Sequence, residues 1–217
     1  MATYTDNFNR ADELPIASPW VNQTANFGLK LSASCVSQYG TGAPNFLQNE
    51  DCLCVYSGSI LPIGNNQYSQ AVVASPETNN GGIGLVVRAY ANVPKTSINV
   101  QWGDDGKCYG YDTGGGAGSF TVANTVATND VIRLVVIGTT VTAYKNEVSV
   151  GTYETGITTG GNPGFGTFHP FDAGSPPTGR MDNWEGGDWP ITGSVSPITT
   201  KLYLTRATIQ HMITTSV

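Results

Sequence analysis

The stretch from Asp130 to Tyr153 constrains the fold more than any other part of the chain. Val131-Ile132-Arg133-Leu134-Val135-Val136-Ile137 is a run rich in β-branched residues, and Gly138-Thr139 ends it. Thr140-Val141-Thr142-Ala143-Tyr144 returns, Lys145-Asn146-Glu147 turns again, and Val148-Ser149-Val150-Gly151-Thr152-Tyr153 leaves as a third segment. β-Branched and aromatic side chains suit a pleated surface, and connections this short join only antiparallel neighbours. The stretch therefore predicts a three-stranded meander.

Shorter strand signals recur along the chain, with no helical period before residue 190. Phe27-Gly28-Leu29-Lys30-Leu31 alternates, and Cys52-Leu53-Cys54-Val55-Tyr56 is a brief apolar run. Tyr68 to Ala74 follows the polar turn Gly64-Asn65-Asn66, and Gly82 to Tyr90 sits between Asn79-Asn80-Gly81 and Pro94. Ser97 to Trp102 places Ile98, Val100 and Trp102 on one face. Gly160-Gly161-Asn162-Pro163-Gly164 reads as a loop, after which Phe165 to Phe168 and Arg180 to Glu185 supply the last strands. Many strands without interleaved helices predict an all-β, antiparallel two-sheet sandwich or barrel.

Composition agrees. Only 12 % of residues are charged and 27 are glycine, while 39 % are hydrophobic. That suits tightly turned strands with enough apolar surface to fill one core. The net charge is −6, and the ten basic residues form no stripe. A phosphate backbone or an anionic bilayer needs clustered Lys and Arg, so neither nucleic acid nor a membrane surface is expected as a partner. No apolar run approaches the ~20 residues of a membrane span. Met1 to Asp6 has no basic and apolar signal pattern, so no secretory leader is expected.

Cys35, Cys52, Cys54 and Cys108 allow three pairings, and nothing in their spacing selects one. His169 and His211 lack zinc-site spacing to them, so buried thiols or a single disulfide are the simpler expectation.

Composition shifts at residue 189, giving a sandwich domain over 1–189 and a linker plus arm over 190–217. Pro190, Gly193, Ser194, Ser196 and Pro197 form the linker. The arm turns apolar again at Leu202, Tyr203, Leu204, Ile209 and Ile213, too short a stretch for its own core. It packs on its own domain, pairs with a neighbouring subunit, or stays loose.

Three motifs carry a family resemblance. Asp6-Asn7-Phe8-Asn9-Arg10-Ala11-Asp12 with Trp20 opens it, and Ile132 to Asn146 forms a strand, Gly-Thr turn, strand, Asn turn. Pro163-Gly164-Phe165-Gly166 and then Met181-Asp182-Asn183-Trp184-Glu185-Gly186 close it. Together, from Asp6 to Trp189, they resemble the concanavalin-A-like, laminin-G-like jelly roll of the bacterial and phage type. The resemblance implies Phe8, Trp20 and Trp184 in a core closed by pairing of the first and last strands. It also implies a candidate structural Ca2+ site with Asp6 and Asp182 as its carboxylates; no other cofactor is expected. One departure is Asn146-Glu147 where Asn-Gly is usual, for which a different turn is expected.

Laminarinase-type hydrolases of this fold carry Glu-x-Asp-x-x-Glu on one strand, and this chain has no such pattern. Asp104-Asp105 are adjacent and diverge in a strand, and Asp104-Asp105-Gly106 reads as a turn. No nucleophile elbow or P-loop is present. The chain is therefore expected to be no enzyme, with a laminarinase-type glycoside hydrolase as the less favoured alternative.

Two binding functions remain open. One is a surface-exposed virion (phage) component that forms a homo-oligomer, or joins other particle proteins, through its arm. The other is a free-standing carbohydrate-binding module of an extracellular bacterial protein. For a polysaccharide ligand the candidate residues are Trp102, Tyr109 and Tyr111 as aromatic platforms, beside Asp104 and Asp105.

Overall fold

The computed structural model describes residues 3–13, 16–22, 28–39, 52–56, 64–78, 81–90, 96–113, 118–168 and 178–190. Among them are fifteen strands and no helix. In chain order they are β1 (Thr3–Asp6), β2 (Trp20–Asn22), β3 (Gly28–Ser32), β4 (Cys35–Tyr39) and β5 (Cys52–Tyr56). Then come β6 (Gln67–Ser75), β7 (Gly82–Ala89), β8 (Ser97–Gly103), β9 (Lys107–Thr113) and β10 (Ser119–Ala123). The last five are β11 (Val131–Ile137), β12 (Thr140–Lys145), β13 (Val148–Glu154), β14 (Asn162–Phe168) and β15 (Arg180–Asp188).

They form two antiparallel sheets. The eight-stranded sheet runs β13-β12-β11-β6-β15-β4-β3, with β1 also paired to β15. The seven-stranded sheet runs β10-β9-β8-β7-β14-β5-β2. The expected meander is β11-β12-β13, with one bulge between Ala143 and Tyr144 where β12 pairs with β13. First and last strands pair as expected, with Asp6 opposite Trp184.

The core lies between the layers because alternate residues of each strand point inward. One sheet contributes Ile132, Leu134, Val136, Val141 and Ala143, and the other Ile83, Leu85, Val87, Ile98 and Val100. Phe8, Trp20, Phe165 and Trp184 close the core near the chain ends. The Trp20 ring lies 4.4 Å from Phe165 and 4.6 Å from Trp184, centroid to centroid. Trp184 lies beside a register shift in β15, and its indole N–H donates to Ser69 Oγ at 2.9 Å. A Cβ on Gly186 would come within 2.4 Å of that ring, so glycine there makes room for it.

The β12–β13 turn departs from expectation. Asn146 (φ 49°) and Glu147 (φ 67°) both take left-handed backbone, as a two-residue hairpin with primed turn geometry demands. The sheet twist imposes this turn even though Glu replaces the usual Gly. The Glu147 carboxylate meanwhile accepts a hydrogen bond from Arg133.

One end of the sandwich is tied by a buried cation. Arg88 donates to the Asn65 carbonyl at 2.8 Å, the Gly138 carbonyl at 2.7 Å and the Ile157 carbonyl. Its own backbone N–H donates to Gln67 Oε1 at 2.8 Å. A guanidinium has five N–H groups in a fixed fork, which suits it to joining three separate turns.

Candidate functional site

The β8–β9 hairpin carries polar and aromatic groups on its outer face, those of β8 buried and the two tyrosines of β9 half-buried. Ile98, Val100 and Trp102 of β8 point into the core, so Ser97, Asn99 and Gln101 point outward. Register pairs Gln101 with Tyr109, Asn99 with Tyr111 and Ser97 with Thr113. Tyr109 and Tyr111 therefore share the outer face of β9, both half-buried. Thr121 and Ser119 of β10 continue the two rows at the sheet edge.

Trp102 corrects the sequence expectation. It is 1 % exposed, packs in the core, and donates its indole N–H to Asn124 Oδ1 at 3.0 Å. Its partner across the strands is Cys108, not either tyrosine. A ring in that position supports the sheet and offers no platform to a ligand. The strand's alternation already assigned Trp102 to the face of Ile98 and Val100.

The amides opposite the tyrosines were not singled out from sequence. Asn99 is fully buried, and its Nδ2 lies 3.0 Å from Thr113 Oγ1, 3.1 Å from Ser97 Oγ and 3.2 Å from the Ser97 carbonyl. It ties β8 to β9, and Gln101, beside Tyr109, is buried as well. The period-two pattern that marked Ile98, Val100 and Trp102 as one face marks these residues as the other.

Asp104 and Asp105 occupy the turn between β8 and β9, as expected, with Gly106 at φ 77°. Asp104 donates its backbone N–H to the Gly81 carbonyl at 2.8 Å. The Asp105 carboxylate accepts from the Lys107 N–H at 3.2 Å, from Lys107 Nζ at 2.9 Å and from the Tyr109 hydroxyl. The Tyr109 and Lys107 bonds hold its carboxyl below the ordinary range, and the same contact raises the Tyr109 phenol.

The other carboxylates are engaged in the fold. Asp6 accepts from Arg10 Nη1 at both oxygens (2.7 and 2.8 Å), from the Phe8 N–H at 2.8 Å and from Trp20 Nε1 at 2.7 Å. Asp182 accepts from the Asn183 N–H at 2.6 Å, and burial followed by the nearby Asp6 charge raises its carboxyl. A calcium ligand offers its lone pairs to the ion, whereas both Asp6 oxygens face N–H donors. Among the described residues no three His, Cys, Asp or Glu side chains cluster as metal ligands. Calcium thus stays an expectation of the resemblance.

Glu185 accepts from the Tyr68 hydroxyl at 2.5 Å, and Asp112 from Tyr153 at 2.8 Å and Thr155 at 2.7 Å. Glu77 binds the Thr178 and Gly179 N–H groups at 3.1 and 2.9 Å. Cys35 and Cys108 are free thiols. The arm residues Leu202, Tyr203, Leu204, Ile209 and Ile213 lie outside the described residues.

The layered architecture and the paired terminal strands define a concanavalin-A-like jelly-roll β-sandwich. Comparison with protein-family models and with curated proteins gives no match. Among solved structures the chain is similar to a Bacillus licheniformis β-glucanase, with TM-score 0.56 and 12 % identity, over 87 % of this chain and 98 % of that one. It is also similar to a prokaryotic β-1,3-1,4-glucanase (lichenase) from a mouse hindgut metagenome, with TM-score 0.54 and 9 % identity, over 87 % and 99 %. A sialidase matches with TM-score 0.55 and 12 % identity, over 87 % of this chain and 19 % of that one. At these identities the likeness establishes the fold alone.

Proposed function

We propose that this protein is a non-catalytic glycan-binding sandwich whose ligand, a neutral polysaccharide, lies across the outer face of the β8–β9 hairpin. The observation that carries this reading is the pair Tyr109 and Tyr111, half-buried side by side on the outer face of β9. Sugar rings present apolar C–H faces and hydroxyl edges, and half-buried phenols, apolar in the ring and polar at the hydroxyl, complement both. Trp102 is left out of the site.

Charge decides the ligand class. Asp104 and Asp105 border the hairpin, and its Lys107 is paired to Asp105. The hairpin's carboxylates outnumber its single cation, Lys107, so an anionic glycan would meet net negative charge there.

The non-catalytic half of the proposal rests on the carboxylates. A retaining glycosidase needs two carboxyl groups about 5 Å apart across an open cleft, one of them free to act as nucleophile. Here Asp105, Asp112, Glu77 and Glu185 each accept hydrogen bonds from the protein itself.

Affinity gel electrophoresis tests both halves, with neutral polymers (β-1,3-1,4-glucan, galactan, xylan) against anionic ones (polygalacturonate, alginate). Retardation by a neutral polymer with no release of reducing ends is the expected result. Retardation by none, or reducing ends accumulating with time, refutes it.

A further inference from the structure

We infer that Asp105 is a positioning residue rather than a glycan contact: it fixes the Tyr109 ring for binding by accepting the phenol hydroxyl within the β8–β9 turn. The inference rests on the glycan-binding reading and assigns Asp105 a different role in that site from the one expected of it by sequence.

The turn is built around this contact. Asp105 receives the Lys107 N–H at 3.2 Å and Lys107 Nζ at 2.9 Å, which orient the carboxylate toward Tyr109. The residue before the turn is Gly103, where a Cβ would stand 2.7 Å from Asp105 Oδ1 and 3.4 Å from Tyr109 Cε2. A side chain at 103 would crowd the Asp105 carboxylate and require it to shift. Lys107 offsets the Asp105 charge, and the two oxygens already serve three donors. Of a carboxylate's roughly four lone-pair directions, at most one is left for a sugar hydroxyl.

A tyrosine that must be ordered on binding costs rotamer entropy, and a phenol already held by a carboxylate has lost that freedom beforehand. The ring then offers its face in one orientation, with Gln101 opposite it in register. The raised phenol and the lowered carboxyl are what such a hydrogen bond produces, since it favours neutral tyrosine and ionised aspartate.

A double-mutant cycle separates positioning from direct contact, using soluble β-1,3-1,4-glucan or whichever neutral polymer retards the protein most. Asp105→Ala and Tyr109→Phe are each expected to weaken binding about threefold to fivefold, as loss of one exposed charge-assisted bond allows. The double variant is expected to be no weaker than either single one. Additive losses, or an Asp105→Ala variant that binds as wild type, overturn the proposal. Asp105→Asn, which keeps an acceptor for the Lys107 N–H, guards against loss of the turn and should show a smaller loss in the same cycle.

A ligand-free measurement runs beside it. The 13C signal of the Tyr109 ring, assigned by comparison with Tyr109→Phe, should titrate above ordinary tyrosine in wild type and move down in Asp105→Ala. An unmoved Tyr109 titration overturns the clamp whether or not any glycan binds. A moved titration without binding to any neutral polymer leaves the clamp intact and sinks the glycan reading instead.

Discussion

The Asp6 carboxylate accepts the Trp20 indole N–H at 2.7 Å, joining the end of the first strand to the aromatic cluster that closes the core. The same carboxylate holds the Phe8 N–H and the Arg10 guanidinium. Asp6→Ala should therefore cost about 3 kcal/mol, since it orphans buried donors and removes a charge-assisted pair. Urea unfolding checks this; a loss under about 1 kcal/mol would mean that water replaces the carboxylate freely.

Trp102 and Tyr109 should separate stability from binding. Trp102→Ala removes a ring from the centre of the core and should cost about 3–5 kcal/mol. Tyr109→Ala and Tyr111→Ala should cost far less stability and weaken neutral-polymer binding about tenfold each. Melting curves and affinity gels on the three variants give the comparison. Loss of binding in a folded Trp102→Phe variant with intact binding in the tyrosine variants would place the site elsewhere.

The β12–β13 turn was legible in sequence as a turn, but not in kind. Asn146-Glu147 lacks the glycine that marks a primed hairpin, and a different turn followed from that absence. The backbone keeps the left-handed pair because β12 and β13 twist against each other, a constraint set by both strands and invisible in two residues. Glu147→Gly and Glu147→Val both delete the carboxylate that meets Arg133, so that loss cancels between them. The glycine variant should be more stable by about 2 kcal/mol, because a β-branched residue is strained at φ 67°. Equal stabilities would show that the turn relaxes to another type.

Other features divide in the same way. The meander, the pairing of first and last strands and the Asp104-Asp105-Gly106 turn were readable, because each rests on local pattern or on matching motifs at both chain ends. Asn99 and Gln101 were readable in principle, as the alternate face of a strand whose apolar face was recognised. The Asp6 hub was not, because it depends on a loop folding Arg10 and Trp20 back onto one carboxylate. The role of Arg88 was hidden for a similar reason: its acceptors come from three turns far apart in sequence.

Burial pushes the Cys108 thiol up to about 12. Folding thus favours the protonated thiol. That contribution to stability is complete below the unfolded thiol's value near 9 and is lost as pH rises from there toward 12. Iodoacetamide at pH 8 should leave Cys108 unmodified in the native protein and alkylate it in urea. Mass spectrometry of digested protein reads the outcome, and rapid native modification would show that the core around β9 opens readily.

The most direct test of the account is a map of where a neutral oligosaccharide perturbs the backbone amides. Titrating a β-1,3-1,4-gluco-oligosaccharide, or a fragment of whichever neutral polymer binds best, into 15N-labelled protein should shift Gln101, Tyr109 and Tyr111 most. The ligand should remain uncleaved throughout. Shifts gathered on the outer face of the β6–β11–β15 sheet, or a ligand spectrum that changes to shorter sugars, would contradict it.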